Sequence, residues 1–339
     1  MSAPLLEVRD LTVTFAGRTG AALDAVRGVD LVVDKGQLHG VVGESGSGKS
    51  VTMMAVMGLL SSSARVSGSV KLQGEELVGR SQRLMRRIRG ARIGYIFQDP
   101  MTALNPLLTV GNQISEAIRI HDRQITRREA DARAVDLLRL VSIPMPEQRA
   151  TQYPHEFSGG MRQRAVIAMA MANEPALLIA DEPTTALDVT IQAQIMGLLE
   201  RLRVERGVGL VWATHDLGVV AGAASAVSIM YSGRVVERGH VDDVFAWPRH
   251  PYTRGLLASL PQLDRRLERL TAIPGAPPPI AMRPSGCSFN PRCPFAIERC
   301  LIEDPLLRPV GNTEAACHRA EELGPLSATL ASEALHAQP

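Results

Sequence analysis

Cysteine is missing from the first 286 of the 339 residues; the four present stand at positions 287, 293, 300 and 317. That excludes a disulfide framework from most of the chain, and in a reducing compartment the terminal cluster reads as a metal site rather than a pair of bridges. No run of about 18 apolar residues occurs, so no membrane-spanning helix is encoded. At the N-terminus (MSAPLLEVRD), Glu7, Arg9 and Asp10 interrupt any apolar region before a signal peptide forms, and the expectation is a soluble, cytosolic chain. An excess of one charge is lacking too. The 37 Lys and Arg are balanced by 35 Asp and Glu, so the total gives no argument for nucleic acid or an acidic membrane as the main partner. The basic cluster from Arg80 to Arg92 reads as a solvated, salt-bridged face. No internal repeat is present.

What is there begins with GESGSGKS, Gly43 to Ser50, between the apolar run Gln37 to Val42 and the Met-rich run Val51 to Leu60. It satisfies the phosphate-binding pattern G-x-x-x-x-G-K-[ST] in the strand–loop–helix setting the pattern requires. The glycines let successive N–H groups point into one anion-sized hollow, and the helix start adds a positive dipole end. Lys49 reaches the β- and γ-phosphates, and the Ser50 hydroxyl suits Mg²⁺.

Along the chain, Leu6 to Phe15 alternates like a half-buried strand, and Ala25 to Val33 follows as a second. Phe15 ends its strand near the phosphate loop, where an aromatic ring stacks on adenine or simply packs in the core. Gly68 to Leu77 reads as strand and turn, and Arg92 to Phe97 as a strand delivering Gln98. The pattern from Val110 to Val141 is helical and amphipathic. Phe157-Ser-Gly-Gly-Met161 opens a helix running through Ala172, a start suited to anions. Ala176 to Ala180 and Val208 to Thr214 are apolar runs of the kind buried in a parallel sheet, with a helix from Thr190 to about Arg206 between them. Strands alternating with helices define an α/β fold whose ligand sits at the carboxyl ends of the strands, so Gly43, Gln98, Asp181 and His215 should converge.

Asp181 is placed to hold Mg²⁺, while Glu182 polarises an attacking water. Gln98 ligates the metal or orients that water, and His215 addresses the γ-phosphate. From Pro261 the texture changes, and Pro274 to Pro279 reads as linker or irregular cap. The cysteines are separated by five, six and sixteen residues, without paired C-x-x-C knuckles. Four thiolates on such a segment suit zinc or an iron–sulfur cluster; His318, beside Cys317, is not expected as a ligand.

Gly43 to Ser50, Gln98, Ser158-Gly-Gly160, Leu177 to Glu182, Thr185 to Asp188 and His215 together resemble the motif set of an ABC-type ATPase. Longer stretches, Phe97 to Pro106, Gly159 to Arg164 and Ala180 to Gln194, are similar to ATPase subunits of bacterial dipeptide, oligopeptide and nickel importers, in particular the first of the two ATPases such permeases carry. His250 to Thr253 and Arg283 to Phe295 resemble that group's C-terminal extension. Phe157, Met161 and Phe15 stand where Leu, Gln and Tyr are commoner in ABC proteins.

The resemblance implies an ATPase domain over residues 1–260, with a RecA-like core, an antiparallel β subdomain and a helical subdomain at about 100–173. An extension over 261–325 and a tail over 326–339 would follow. It implies an ATP site formed by Phe15, Gly43, Glu44, Ser45, Gly46, Ser47, Gly48, Lys49, Ser50, Val51, Ser158, Gly159, Gly160 and Asp188. Mg²⁺ would lie on Ser50, Gln98 and Asp181, and catalysis would rest on Glu182, His215 and Gln98. It also implies a [4Fe–4S] cluster on Cys287, Cys293, Cys300 and Cys317, with zinc as the alternative. The partners would be a second ATPase in a head-to-tail heterodimer, two permease subunits and an extracytoplasmic binding protein, the chain lying on the cytoplasmic face of the membrane. Peptides are the expected cargo, with nickel chelates or another small solute as alternatives. A soluble ABC protein acting on nucleic acid or ribosomes fits less well, because only one phosphate loop is present. A P-loop kinase or GTPase leaves Ser158-Gly-Gly160 and His215 unexplained.

Overall fold

The computed structural model describes residues 3–17, 22–185, 187–260 and 273–325; the expected tail and the first twelve residues of the extension lie outside these. Strand β1 (Leu6–Ala16) pairs antiparallel with β2 (Ala22–Val33). After β3 (Leu38–Val42), which belongs to another sheet, β4 (Ala64–Leu72) and β5 (Glu75–Glu76) complete the order β2-β1-β4-β5.

The second sheet holds β3, β6 (Ile93–Ile96), β7 (Leu177–Asp181), β8 (Gly209–Thr214), β9 (Ala226–Tyr231), β10 (Arg234–His240), β11 (Arg308–Val310) and β12 (Thr313–Ala315). Its order is β11-β12-β10-β9-β3-β8-β7-β6, parallel from β9 to β6 and antiparallel beyond. Every residue of β3, β7 and β8 is buried, which explains why these strands are continuous apolar runs. The two-residue period divides them between two cores. Val41, Ile179, Val211 and Ala213 pack with Met53 and Val56 of the helix Lys49–Val56 against Leu6, Val8 and Leu11 of β1. Val42, Leu178, Ala180, Leu210 and Trp212 face the helices on the other side. Each such Val, Leu or Ile contributes about 1.5–3 kcal/mol on burial, so the sheet that carries the strand ends is rigidly held.

The helical pattern expected over 110–141 is two helices, Val110–His121 and Arg127–Leu140. Between them Asp122 Oδ1 accepts from the N–H groups of Gln124 (3.0 Å) and Ile125 (3.2 Å), and Thr126 and Glu129 form a reciprocal cap that restarts the chain. The helix Gly159–Ala170 begins at Ser158, as expected. Phe157 is buried in the core, consistent with a packing role.

The extension does not stand apart. Its hairpin β11–β12 continues the main sheet, with Glu237 opposite Ala315 and Arg238 opposite Glu314. Arg27 and Arg234, from the two sheets, both donate to Asp304 of the extension, at 3.2 and 2.6 Å.

Candidate functional site

The carboxyl ends of β3, β6, β7 and β8 deliver Gly43, Gln98, Asp181 with Glu182, and His215 to one side of the main sheet. Gly43 is required by space: a Cβ there would lie 2.2 Å from the Met230 carbonyl oxygen. Gly48 is required by conformation, its φ of 102° opening the helix that carries Lys49 and Ser50. The loop lines an open cleft of about 660 Å³, Glu44 to Val51 on one side and Gln98, Glu182 and His215 on the other.

The Lys49 ammonium is almost fully enclosed. It donates to the carbonyls of Gly43 (2.6 Å) and Glu44 (3.2 Å) and lies 3.4 Å from Glu182 Oε1. Burial lowers its pKa from the ordinary lysine value, against the pull of Glu182. The other oxygen of Glu182 accepts from Thr185 Oγ1 at 3.0 Å and Gln98 Nε2 at 3.3 Å, and lies 3.3 Å from His215 Nδ1. Burial opposes ionisation of Glu182, yet Lys49, Thr185 and His215 together hold its carboxyl below the usual carboxylate range. Its backbone has φ 49°, a left-handed conformation that costs a non-glycine residue about 1–3 kcal/mol. The Glu182 N–H donating to the Ala213 carbonyl at 2.8 Å fixes it there. Asp181 lies beneath, accepting from Ser50 Oγ at 3.0 Å and Tyr95 Oη at 2.9 Å, and burial raises its pKa despite both bonds.

These groups form a cradle for a polyphosphate, a pair of oxygen donors at Ser50 and Asp181 suited to a hard cation, and a poised carboxylate at Glu182. The expected convergence of Gly43, Gln98, Asp181 and His215 is present. Tyr95, Thr185 and Tyr252, whose hydroxyl accepts from the Glu44 N–H at 2.8 Å, belong to the same network and went unread in the sequence. Thr185 and Tyr252 had a signal there, each lying within an already quoted motif.

The remaining expected nucleotide residues lie outside the cleft lining. Phe15 is half-buried against the core beneath the antiparallel sheet. Ser158 is exposed and caps its helix, accepting from the Met161 N–H at 3.3 Å, while Asp188 caps the helix Val189–Arg206, accepting from the Ile191 N–H at 2.9 Å. A Cβ on Gly160 would lie 2.8 Å from Ile191 Cγ2, so the two helix starts touch and form a second patch.

All four cysteines are free. The Cys287 N–H donates to the Cys300 carbonyl at 2.9 Å, and Asn290 Nδ2 donates to the carbonyls of both. Burial pushes the thiol of Cys287 up to about 11, that of Cys293 to about 12 and that of Cys317 to about 11, with neighbouring cysteines adding to each. The thiols therefore share one region, and their chemistry suits a four-thiolate group. Yet among the described residues no three His, Cys, Asp or Glu side chains are gathered closely enough to hold a metal ion. The expected set of four cysteine ligands is not assembled around one centre. His318 is engaged elsewhere, its Nε2 3.0 Å from the Glu303 carbonyl oxygen.

A phosphate loop facing strand-end carboxylates on a mainly parallel sheet defines a P-loop nucleotide-binding protein. The ABC transporter family matches residues 26–185, and the oligopeptide/dipeptide transporter C-terminal region matches residues 236–300. The oligopeptide transport ATP-binding protein OppD of Mycobacterium tuberculosis is 54% identical over 321 residues, covering 94% of this chain; the chain spans about half (52%) of that relative's length. A putative peptide import ATP-binding protein of Brucella melitensis is 50% identical over 334 residues, 94% of this chain and 98% of the relative. Among solved structures, the dimeric ABC transporter cassette MJ0796 superposes with a TM-score of 0.63 at 28% identity, over 70% of this chain and 98% of its own. The chain belongs to the peptide-import family of ABC transporter ATP-binding proteins.

Proposed function

We propose that this chain binds and hydrolyses ATP to power the uptake of peptides through a membrane permease. The observation that carries the reading is the pair of adjoining contact sets at one open cleft, Ser50 with Asp181 and Glu182 with Lys49, Gln98 and His215. The loop N–H groups and Lys49 receive the triphosphate, which competes with Glu182 for the ammonium. Ser50 and Asp181, with Gln98, would hold Mg²⁺, which would supply positive charge to the phosphate oxygens. Glu182, freed from Lys49, orients and deprotonates water, and His215 and Gln98 sense whether the γ-phosphate is present. Phe15 stacks on adenine.

This site is half of one. Ser158, Gly159 and Asp188 are exposed and sit off the chain's own cleft, as surfaces that cap a nucleotide on a second cassette would be. The similar cassette MJ0796 was solved as a dimer and, in another structure, bound to ADP and Pi. The partner we propose is a second ATPase, paired head to tail. No helix among the described residues is long and apolar enough to cross a membrane. The pore would therefore come from two permease subunits at whose cytoplasmic face this chain docks, with cargo delivered by an extracytoplasmic binding protein. The relatives' names favour peptides over nickel chelates or other solutes.

For the extension we propose a [4Fe–4S] cluster on Cys287, Cys293, Cys300 and Cys317, with zinc as the competing occupant. The part-buried thiols of Cys287, Cys293 and Cys317, whose pKa values are raised by burial and by the cysteines around them, support it, and binding would draw the four cysteines together. Visible charge-transfer absorbance and matching iron and sulfide contents in anaerobically purified protein are expected; colourless protein with stoichiometric zinc ends the idea. The transport reading is tested by ATPase assay of the complex reconstituted with its permease. Peptide-stimulated hydrolysis is expected, and full activity in a Glu182→Gln complex refutes the assigned role.

A further inference from the structure

Two carboxylates line the nucleotide cleft, Glu182 and Glu44. Glu182 is matched by Lys49. Glu44, the second residue of the phosphate loop, has a partner from the far end of the chain: Arg292 grips it with both ends of its guanidinium, Nη1 to Oε2 at 2.6 Å and Nη2 to Oε1 at 3.0 Å. This is the fork-to-carboxylate geometry that only arginine supplies.

Arg292 is 7% exposed. It lies 5.8 Å from the centre of the Tyr231 ring and 5.9 Å from that of Phe289, and its Nε donates to the Pro274 carbonyl at 2.9 Å. The same aromatic group includes Tyr252, which takes the Glu44 N–H. The first turn of the phosphate loop is thus held by its backbone from Tyr252 and by its side chain from Arg292.

We propose that Arg292 of the C-terminal extension is a positioning residue for the phosphate loop, cancelling the Glu44 charge so that the cleft accepts a polyanion. This rests on the nucleotide reading above. Without Arg292, an unpaired carboxylate would stand on the loop that must receive a triphosphate, and like charges at such a range repel strongly where water is partly excluded. The extension thereby sets nucleotide affinity without touching nucleotide.

The test is calorimetric titration of MgATP into the full-length chain, in wild-type, Arg292→Met, Arg292→Lys, Glu44→Gln and Arg292→Met/Glu44→Gln forms, with thermal melts to establish folding. Arg292→Met is expected to raise Kd about tenfold, the equivalent of one charge-pair loss. In the Glu44→Gln background the same substitution is expected to change Kd less than about twofold, because no charge is left to cancel. Arg292→Lys, which keeps the charge but loses the fork, is expected to fall between wild type and Arg292→Met and serves if Arg292→Met does not fold. An equal loss from Arg292→Met in both backgrounds, Arg292→Lys as weak as Arg292→Met, or wild-type affinity in folded Arg292→Met overturns the proposal. Failure of the wild-type chain to bind MgATP sinks the nucleotide reading instead.

Discussion

The nucleotide cleft and the cysteine segment gather their side chains by opposite means. In the cleft, each group follows a strand of the main sheet or stands beside a helix start, and the sheet fixes the distances: Lys49, Thr185, Gln98 and His215 all lie within 3.4 Å of Glu182. The cysteine segment has a small core of Val310, Ala315 and Ala320, with Cys317 packed against it, while Phe289, Cys287 and Cys293 pack into the core of the main sheet. Short 3₁₀ turns, one five-residue helix and backbone hydrogen bonds set its thiols, which remain ungathered. Preorganisation by a sheet needs no ligand. In the Pro-rich segment, the proposed cluster would draw the thiols together and tighten the fold around them.

The largest effect should come from breaking the organised side. Glu182→Gln is expected to lower kcat by about 10²–10⁴, the range of a positioned proton-transfer group, while MgATP still binds; a rate assay with parallel nucleotide titration checks both. On the other side, removing the proposed cluster with a chelator should raise amide exchange of described residues 286–325 severalfold or more, while β3, β7 and β8 keep their protection; equal loosening of both regions would erase the contrast.

A third effect sits at the joint. Glu237 of β10 is fully buried opposite Ala315 of the extension, accepting from the N–H groups of Arg249 (2.5 Å) and His250 (3.0 Å), and burial raises its pKa to about 7. Because the folded value exceeds the unfolded one, its contribution is full below about pH 4.5 and is lost as pH rises through about 7, roughly 3 kcal/mol in all. Thermal melts at pH 5 and pH 8 should therefore differ less in Glu237→Gln than in wild type. The smallest effect is at Phe15, where Ala should raise KM for ATP about three- to tenfold through lost stacking, with a lesser change in kcat.

Local signals carried most of the cleft into view. The phosphate pattern and the apolar runs of β7 and β8 needed no knowledge beyond their own neighbourhoods, whereas Asp181, Glu182, Gln98 and His215 took their roles from the phosphate loop elsewhere in the chain. What stayed hidden is non-local or electronic. The break at Asp122 to Thr126 is a competition between an Asx turn and helix continuation, which amphipathic periodicity does not register. The pairing of β12 with β10 and the Arg292–Glu44 contact span 78 and 248 residues, and no window along the chain contains both ends. Tyr95 reads as an ordinary strand aromatic until Asp181 appears beside its hydroxyl.

In the proposed function this cleft is half a site, completed by the Ser158 patch of another cassette. Analytical ultracentrifugation of the Glu182→Gln chain with its companion ATPase tests it most directly. A two-cassette species is expected with MgATP, absent with MgADP and abolished by Ser158→Arg. A single-cassette species at saturating MgATP, or a pair indifferent to Ser158→Arg, would contradict it.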